Sequence, residues 1–164
     1  SSDLGRAITA GHVGFVLAPR LNAMGRLGDA STGVQLLLTN SPDKGLEIAK
    51  LLEGENRERQ RIEAQVLTEA LSQIRSQVDL EQEKAIVLAA PGWHPGVIGI
   101  VASRLVENFH RPAVLIALDG GEGRGSGRSI PGFNLHQGLA RCARHLERFG
   151  GHEEIGRASW RETV

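Results

Sequence analysis

Residues 85–118 read AIVLAAPGWHPGVIGIVASRLVENFHRPAVLIAL, and they predict the architecture of the chain around them. The apolar runs 85–90 and 113–118 have the length and composition of buried strands. Segment 97–108 between them has apolar residues at helical spacing, namely Ile98, Val101 and Leu105. When a single helix forms the short connection between two strands, those strands lie parallel to each other in the sheet. The sequence therefore predicts the α/β class.

The sequence after this unit continues the same compact domain. Residues 119–121 form a predicted turn, and 124–130 can return as an antiparallel strand. Asn134 is a suitable N-cap for a helix over 134–148, which the glycine pair at 150–151 would end. The small sheet is therefore predicted to mix parallel and antiparallel strands.

The sequence before this unit predicts a long helix over 41–82. Ser41 is a good N-cap, and Pro42 suits the first helical position. One apolar stripe repeats every four residues, at Ile62, Val66, Ala70, Ile74 and Val78. Gly54 weakens the middle, so either one helix or two helices with a joint there fit the pattern. Within the Gly-rich residues 1–40, segment 14–18 is predicted as a strand and 33–38 as a short helix.

Composition excludes several classes of protein. The chain has 164 residues and one cysteine, Cys142, which excludes a disulfide framework and a multi-cysteine zinc site. No apolar run is long enough to span a membrane, and the start has neither Met nor a signal peptide. We therefore expect a cytoplasmic protein and a piece of a longer chain.

The charge is unevenly distributed although the formal net charge is zero. Residues 40–90 carry 7 basic and 10 acidic side chains, whereas residues 104–148 carry 7 basic and 4 acidic ones. The basic side chains are mostly arginine, with 16 Arg and 3 Lys in the chain. Arginine binds phosphate and carboxylate with two parallel hydrogen bonds, so the basic region suits an anionic ligand. A GC-rich genome explains the arginine bias equally well.

Four segments carry residue types that bind anions: 22–26, 92–101, 123–129 and 149–152. In GRGSGRS, which is 123–129, glycines expose backbone N–H groups while Arg and Ser supply further donors. If it is a strand, Ser126 and Arg128 share a face. A flexible turn remains an alternative for this segment, and a structural role for His152. Trp93 suits either base stacking or the core, and the glycines after it suit tight helix packing.

Catalytic motifs are missing. The only carboxylates between Lys84 and His152 are Glu107, Asp119, Glu122 and Glu147. They are poor material for a two-metal nuclease centre. The residues by themselves indicate an anion-binding α/β domain.

Four segments in this order and spacing resemble the RecJ single-strand-specific exonucleases of the DHH phosphoesterase superfamily. They are PRLNAMGR (19–26), GWHPGVIGIVASRL (92–105), GSGRS (125–129) and GGH (150–152). The resemblance covers residues 1–152. The second segment is the most specific, whereas GGH also occurs in oligoribonucleases and cyclic-dinucleotide phosphodiesterases of the superfamily.

The resemblance implies a fold and a division of the chain. Residues 1–40 would be the C-terminal edge of a DHH catalytic domain, 41–82 the connector helix and 83–152 a small mixed-sheet DHHA1 substrate-binding domain. Residues 153–164 depart from the family pattern and look similar to translated sequencing adapter, so we expect a non-native tail.

The resemblance also implies a function. Such enzymes degrade single-stranded DNA from the 5′ end with Mn²⁺ or Mg²⁺, in recombination and repair. Their metal ligands, including an Asp-His-His triplet, lie in the catalytic domain, which would be a partner in cis. We therefore expect no catalytic residue, no bound metal and no activity in this fragment, and no membrane partner.

By motif match, six residues would bind the DNA: Arg26, Ser126, Arg128, Gly150, Gly151 and His152. The alternative function is a DHH-type phosphodiesterase acting on oligoribonucleotides or cyclic dinucleotides.

Overall fold

The computed structural model describes residues 7–161. Residues 1–6 of the predicted first segment and 162–164 of the predicted tail lie outside this range. The chain divides into two compact units, Ser1–Arg61 and Ile62–Val164. Within the described range, no helix is both long enough and apolar enough to cross a membrane.

The first unit is helical. Its helices are α1 (Ala10–His12), a π-helical turn (Val13–Leu17), α2 (Ala18–Leu27), α3 (Ser31–Leu38) and the first part of α4 (Pro42–Gln77). Met24, Ile48 and Leu52 form its buried cluster. The strand predicted over 14–18 is wrong, because this apolar run forms the π-helical turn, where backbone groups bond locally. The predicted helix over 33–38 is confirmed as the main part of α3.

Helix α4 continues without a break through Gly54, so the single-helix alternative is the observed one. A Cβ added at Gly54 would meet nothing within 4 Å, which means that the glycine marks an open helix surface. In the second unit, the predicted apolar stripe of α4 is buried at Val66, Ala70 and Ile74.

The second unit is built on a five-stranded mixed sheet. Its elements are β1 (Ile86–Pro91), α5 (Ile98–Phe109), β2 (Ala113–Asp119), β3 (Glu122–Arg128), α6 (Leu135–Arg141), a 3₁₀ turn (Ala143–His145), β4 (Arg148–Gly151) and β5 (Ile155–Arg161). The strand order is β1-β2-β3-β5-β4. Strands β1 and β2 are parallel, and the other neighbours are antiparallel. The predicted α/β class and the mixed sheet are confirmed.

The two faces of the sheet carry different helices. Helix α5 packs on one face, where the buried residues include Leu88, Leu115, Val101 and Leu105. On the other face, α6 approaches so closely that a Cβ at Gly127 would lie 2.8 Å from Leu135 Cδ2. Gly127 and its neighbour Ser126 face opposite sides, because side chains alternate along a strand.

The C-terminal part of the sheet differs from the prediction. The helix predicted over 134–148 ends at Arg141, and residues 148–151 form the edge strand β4. The chain pairs with β5 there, and this pairing begins where the backbone N–H of Glu147 donates to the carbonyl of Ser159. Strand β5 lies between β3 and β4, beyond residue 152, where the domain was predicted to end. Pairing in a sheet uses backbone groups, which is why the side-chain pattern did not reveal it.

Candidate nucleic-acid interface

Strand β3 places Ser126 and Arg128 on the face of the sheet that α5 covers. Ser126 lies opposite Leu115, and Arg128 opposite Ala113, in the register with β2. Both β2 residues are fully buried. The predicted shared face of Ser126 and Arg128 is confirmed, and β3 supplies the rigid backbone that holds them.

The two side chains contact each other. Arg128 Nη1 donates to Ser126 Oγ at 3.3 Å and to the carbonyl oxygen of Gly127 at 2.8 Å. Ser126 is only 7% exposed, whereas Arg128 is half-buried. The guanidinium is therefore held beside a hydroxyl, in a position where its charge is only partly screened by water.

The first turn of α5 closes over this pair. A Cβ added at Gly99 would lie 2.7 Å from Ser126 Oγ and 3.0 Å from Arg128 Nη2. Only glycine fits so close an approach, which confirms the prediction of tight helix packing for this residue. The N-terminus of α5 carries the positive end of the helix dipole. Its field adds to the charge of Arg128, so this corner of the sheet favours an anion.

The segment before α5 forms a hydrogen-bonded turn. His94 Nδ1 accepts from the backbone N–H of Gly96 at 3.1 Å, and the His94 carbonyl accepts from Val97 and Ile98 at 2.9 and 3.2 Å. Trp93 is 4% exposed, and its Nε1 donates to Glu69 Oε2 at 2.7 Å. The core alternative for Trp93 is therefore the observed one.

Gly150, Gly151 and His152 lie where β4 turns into β5. Gly151 has φ 144°, and a Cβ there would lie 2.0 Å from the carbonyl oxygen of Ile155. The turn thus requires glycine at this position. The backbone N–H of His152 donates to the same carbonyl at 2.8 Å, and the His152 side chain is exposed.

The register brings the glycine pair to the same end of the sheet as Ser126 and Arg128. Gly150 and Ser126 both lie opposite Arg157 of β5, from its two sides. Two ladder spacings separate β4 from β3, about 9–10 Å. The structure therefore brings together five of the six predicted site residues on neighbouring strands and one turn.

Arg26 is the sixth predicted residue, and it belongs to the other compact unit. It is exposed in the last turn of α2. The geometry described above comes from β3, α5 and the β4–β5 turn alone.

An open cleft of about 300 Å³ lies at the carboxyl ends of β1 and β2, and its lining includes none of the six predicted site residues. Its lining includes His94, Asp119, Glu122 and Arg124. Sequence reasoning missed Glu69, the acceptor of the Trp93 indole. Its only signal is a carboxylate next to Ala70 of the buried α4 stripe.

The part of the chain that the structure describes does not fit a divalent metal centre. Among residues 7–161, no group of three or more His, Cys, Asp or Glu side chains could hold a metal ion. The site is built from hydrogen-bond donors and positive charge, which bind phosphate rather than metal.

Comparison with known proteins gives consistent matches. Residues 82–162 match the DHHA1 domain family. The chain is 46% identical over 142 residues to the single-stranded-DNA-specific exonuclease RecJ of Bacillus subtilis, covering 85% of this chain and 18% of that protein. It is 41% identical over 162 residues to the enzyme of the same name from Haemophilus influenzae, covering 94% of this chain and 28% of that protein.

Solved structures agree with these relatives. The crystal structure of RecJ in complex with Mg²⁺ from Thermus thermophilus superposes with a TM-score of 0.84 at 38% identity, covering 95% of this chain and 24% of that one. A crystal structure of exonuclease RecJ bound to manganese superposes with a TM-score of 0.78 at 37% identity, covering 94% of this chain and 37% of that one. The chain thus spans well under half of the length of each of these relatives.

Proposed function

Because this chain belongs to the RecJ family and carries a DHHA1 domain at residues 82–162, we propose that it is the substrate-binding part of a 5′–3′ exonuclease that hydrolyses single-stranded DNA. The observation that carries the proposal is the Ser126–Arg128 pair under the N-terminus of α5. A hydroxyl, a guanidinium and the positive end of a helix dipole lie together there, and each of them favours a phosphate oxygen.

The chain's own residues bind and orient the strand in this proposal. Arg128 donates a two-pronged hydrogen bond to phosphate oxygens, and Ser126 adds a hydroxyl donor. Gly150 and Gly151 let the protein backbone approach the bound DNA closely, and the side chain of His152 contacts the DNA from the β4–β5 turn. Arg26, a residue of the first unit, is proposed as a further DNA-binding residue. Holding the phosphodiester in one orientation lowers the entropic cost of the reaction step.

Divalent metal chemistry belongs to the rest of the enzyme in this proposal. RecJ structures contain Mg²⁺ or Mn²⁺, and we propose the same ions for the full-length protein. Such an ion activates water and stabilises charge on the phosphodiester. The described residues of this chain do not fit that centre, so we expect this chain to bind none.

The proposed division of the chain follows from the same family. Residues 1–40 belong to the edge of the DHH catalytic domain, 41–81 to the connector and 82–162 to the DHHA1 domain. The family match and the pairing of β5 within the sheet support a domain that is longer than the predicted 83–152 and that takes in most of the predicted tail, 153–164. The first unit exposes large apolar side chains, including Phe15 at 86% and Leu38 at 73%. Exposed apolar surface of this kind supports a partner domain in cis. We propose recombination and repair in the cytoplasm as the setting.

Binding of a labelled single strand tests the proposal. Fluorescence anisotropy of a 5′-phosphorylated, 3′-labelled oligonucleotide should show binding that weakens as salt increases and that exceeds binding of a matched duplex. A folded sample that binds neither strand, or that prefers the duplex, contradicts the proposed function.

Substitution of Arg128 tests the site within the same assay. Arg128→Ala should weaken binding by about 1–3 kcal/mol, the scale of a charged hydrogen bond. Arg128→Lys should recover only part of it, because the two-pronged geometry is lost. Arg141→Ala, an exposed arginine at the end of α6, is the matched control for loss of one positive charge. Equal affinity of Arg128→Ala and the parent places the phosphate elsewhere.

A further inference from the structure

The carboxylate of Glu69 in α4 connects two helical segments of the second unit. Its Oε2 accepts from Trp93 Nε1 at 2.7 Å, and its Oε1 accepts from Gln65 Nε2 at 3.0 Å. Trp93 is 4% exposed, so its indole N–H has exchanged water for this one acceptor. A buried donor that loses its acceptor is costly, which makes the contact a strong restraint on where Trp93 sits.

Trp93 in turn determines where α5 begins. The next residue, His94, accepts two backbone hydrogen bonds through its carbonyl, from Val97 and Ile98. These bonds close the turn that opens the helix. A shift of the Trp93 ring therefore shifts the first turn of α5, because only this short, hydrogen-bonded turn lies between them.

The first turn of α5 controls the space around Ser126 and Arg128. Gly99 lies so close that a single added carbon would come within 2.7 Å of Ser126 Oγ. At this spacing, a displacement of a few tenths of an ångström changes the arrangement of the hydroxyl and the guanidinium. Packed interiors transmit such shifts because they have few voids to absorb them.

We propose that Glu69 is a positioning residue for the Ser126–Arg128 site, acting through Trp93 and the first turn of α5. This inference rests on the proposed function, since it names a residue that positions the side chains proposed to bind phosphate. Glu69 does not touch the DNA. It restrains the helix whose N-terminus and Gly99 shape the site.

Replacing Glu69 in the full 164-residue chain tests the proposal, with the anisotropy assay as readout. Glu69→Ala should weaken binding of the 5′-phosphorylated single strand about fivefold. Glu69→Gln keeps an acceptor for the indole and should bind within about twofold of the parent. Gln65→Ala is the matched control, because it removes a hydrogen bond to the other oxygen of the same carboxylate and leaves Trp93 in place. It should bind like the parent.

A double-mutant cycle separates positioning from a merely structural role. In an Arg128→Ala background, Glu69→Ala should weaken binding less than about twofold, because the contact it positions is already gone. All affinities are measured at a temperature at which each variant is folded, as checked by circular dichroism. If Glu69→Ala lowers the melting temperature but leaves the affinity unchanged, Glu69 is structural only. If its effect is the same in both backgrounds, it does not act through the site.

Trp93→Phe keeps the positioning test decisive if Glu69→Ala does not fold. It keeps an aromatic ring in the core but removes the N–H together with the rest of the five-membered ring of the indole, and it should show at least the same loss and the same coupling to Arg128. Parent-like binding by a folded Trp93→Phe overturns the positioning role. The proposed function fails by a different result, namely no salt-sensitive single-strand binding by the parent or no effect of Arg128→Ala.

Discussion

The close approach of α5 to β3 depends on Gly99, a residue without a side chain. The space that a Cβ would need is already occupied by Ser126 Oγ and Arg128 Nη2. The side chains that we propose to bind phosphate thus also form the packing contact between β3 and α5. Binding and packing are therefore coupled at this point of the structure.

Gly99→Ala should for this reason lower both stability and DNA affinity. Alanine is the better helix former, yet the added carbon forces Ser126 and Arg128 to move. We expect a loss of about 1–3 kcal/mol in unfolding free energy from overpacking. Chemical denaturation and the anisotropy assay measure the two effects.

Gly54 of helix α4 provides the control for Gly99→Ala, because it is also a glycine inside a helix. Gly54→Ala adds the same carbon in open space and should stabilise the chain by about 0.5–1 kcal/mol, without changing affinity. An affinity loss for Gly54→Ala, or none for Gly99→Ala, contradicts the assignment of the site to the α5–β3 contact.

At the scale of elements, one ion pair joins α2 to α4 within the first unit. Arg20 Nε donates to Glu53 Oε2 at 2.5 Å, and Arg57 Nε donates to Glu53 Oε1 at 3.1 Å. Hydrogen bonds from Arg20, and then from Arg57, hold the pKa of Glu53 below its ordinary value of 4.5. The carboxylate therefore favours the folded state while it is charged.

This ion pair predicts a pH-dependent contribution to stability. A carboxyl whose pKa is lowered by folding contributes stability above its unfolded pKa, and that contribution is lost as the pH falls through the folded pKa. The urea midpoint of the parent should exceed that of Glu53→Gln at about pH 6, and the difference should shrink towards about pH 3. Glu47→Gln, an exposed change on the same helix, is the control. A difference that grows on acidification contradicts the pairing.

Strong local patterns in the sequence predicted several elements closely. Strands at 85–90 and 113–118 and a helix at 97–108 were predicted, and the observed elements are Ile86–Pro91, Ala113–Asp119 and Ile98–Phe109. Their long apolar runs and helical spacing determine the structure locally. The shared face of Ser126 and Arg128 also followed from sequence, because it needs only the two-residue period of a strand.

Elements that depend on distant partners were not predictable. Segment 14–18 is an apolar run that suits a strand or a helix, and periodicity cannot separate the two in so short a stretch. Segment 148–151 has two glycines and becomes a strand only because β5 pairs with it. The contact between Glu69 and Trp93 joins residues 24 positions apart, so neither local sequence indicates it.

At the scale of the whole molecule, the two units differ in the surfaces that they expose. The first exposes large apolar side chains on its helices, including Phe15 and Leu37. The second buries most of its large apolar residues between the sheet and its helices, although Val87 and Phe133 are exposed, and it presents polar donors at one end. These polar donors agree with the proposed binding of a phosphodiester, and the described residues include no group that fits a metal centre.

Because the described residues include phosphate-binding donors but no group that could hold a metal ion, we predict that the chain binds single-stranded DNA without cleaving it. Hydrolysis of a phosphodiester by this class of enzyme needs a metal held by several carboxylate or histidine ligands, and the described residues provide no such group. Incubation of a 3′-labelled single strand with the purified chain and Mn²⁺ or Mg²⁺ should release no nucleotides, whereas anisotropy under the same conditions should report binding. Arg128→Ala serves as the control, since any trace release unchanged in this variant comes from a contaminating nuclease. Release that requires Mn²⁺ and is abolished by Arg128→Ala would contradict the prediction, because the chain itself would then hold the catalytic centre.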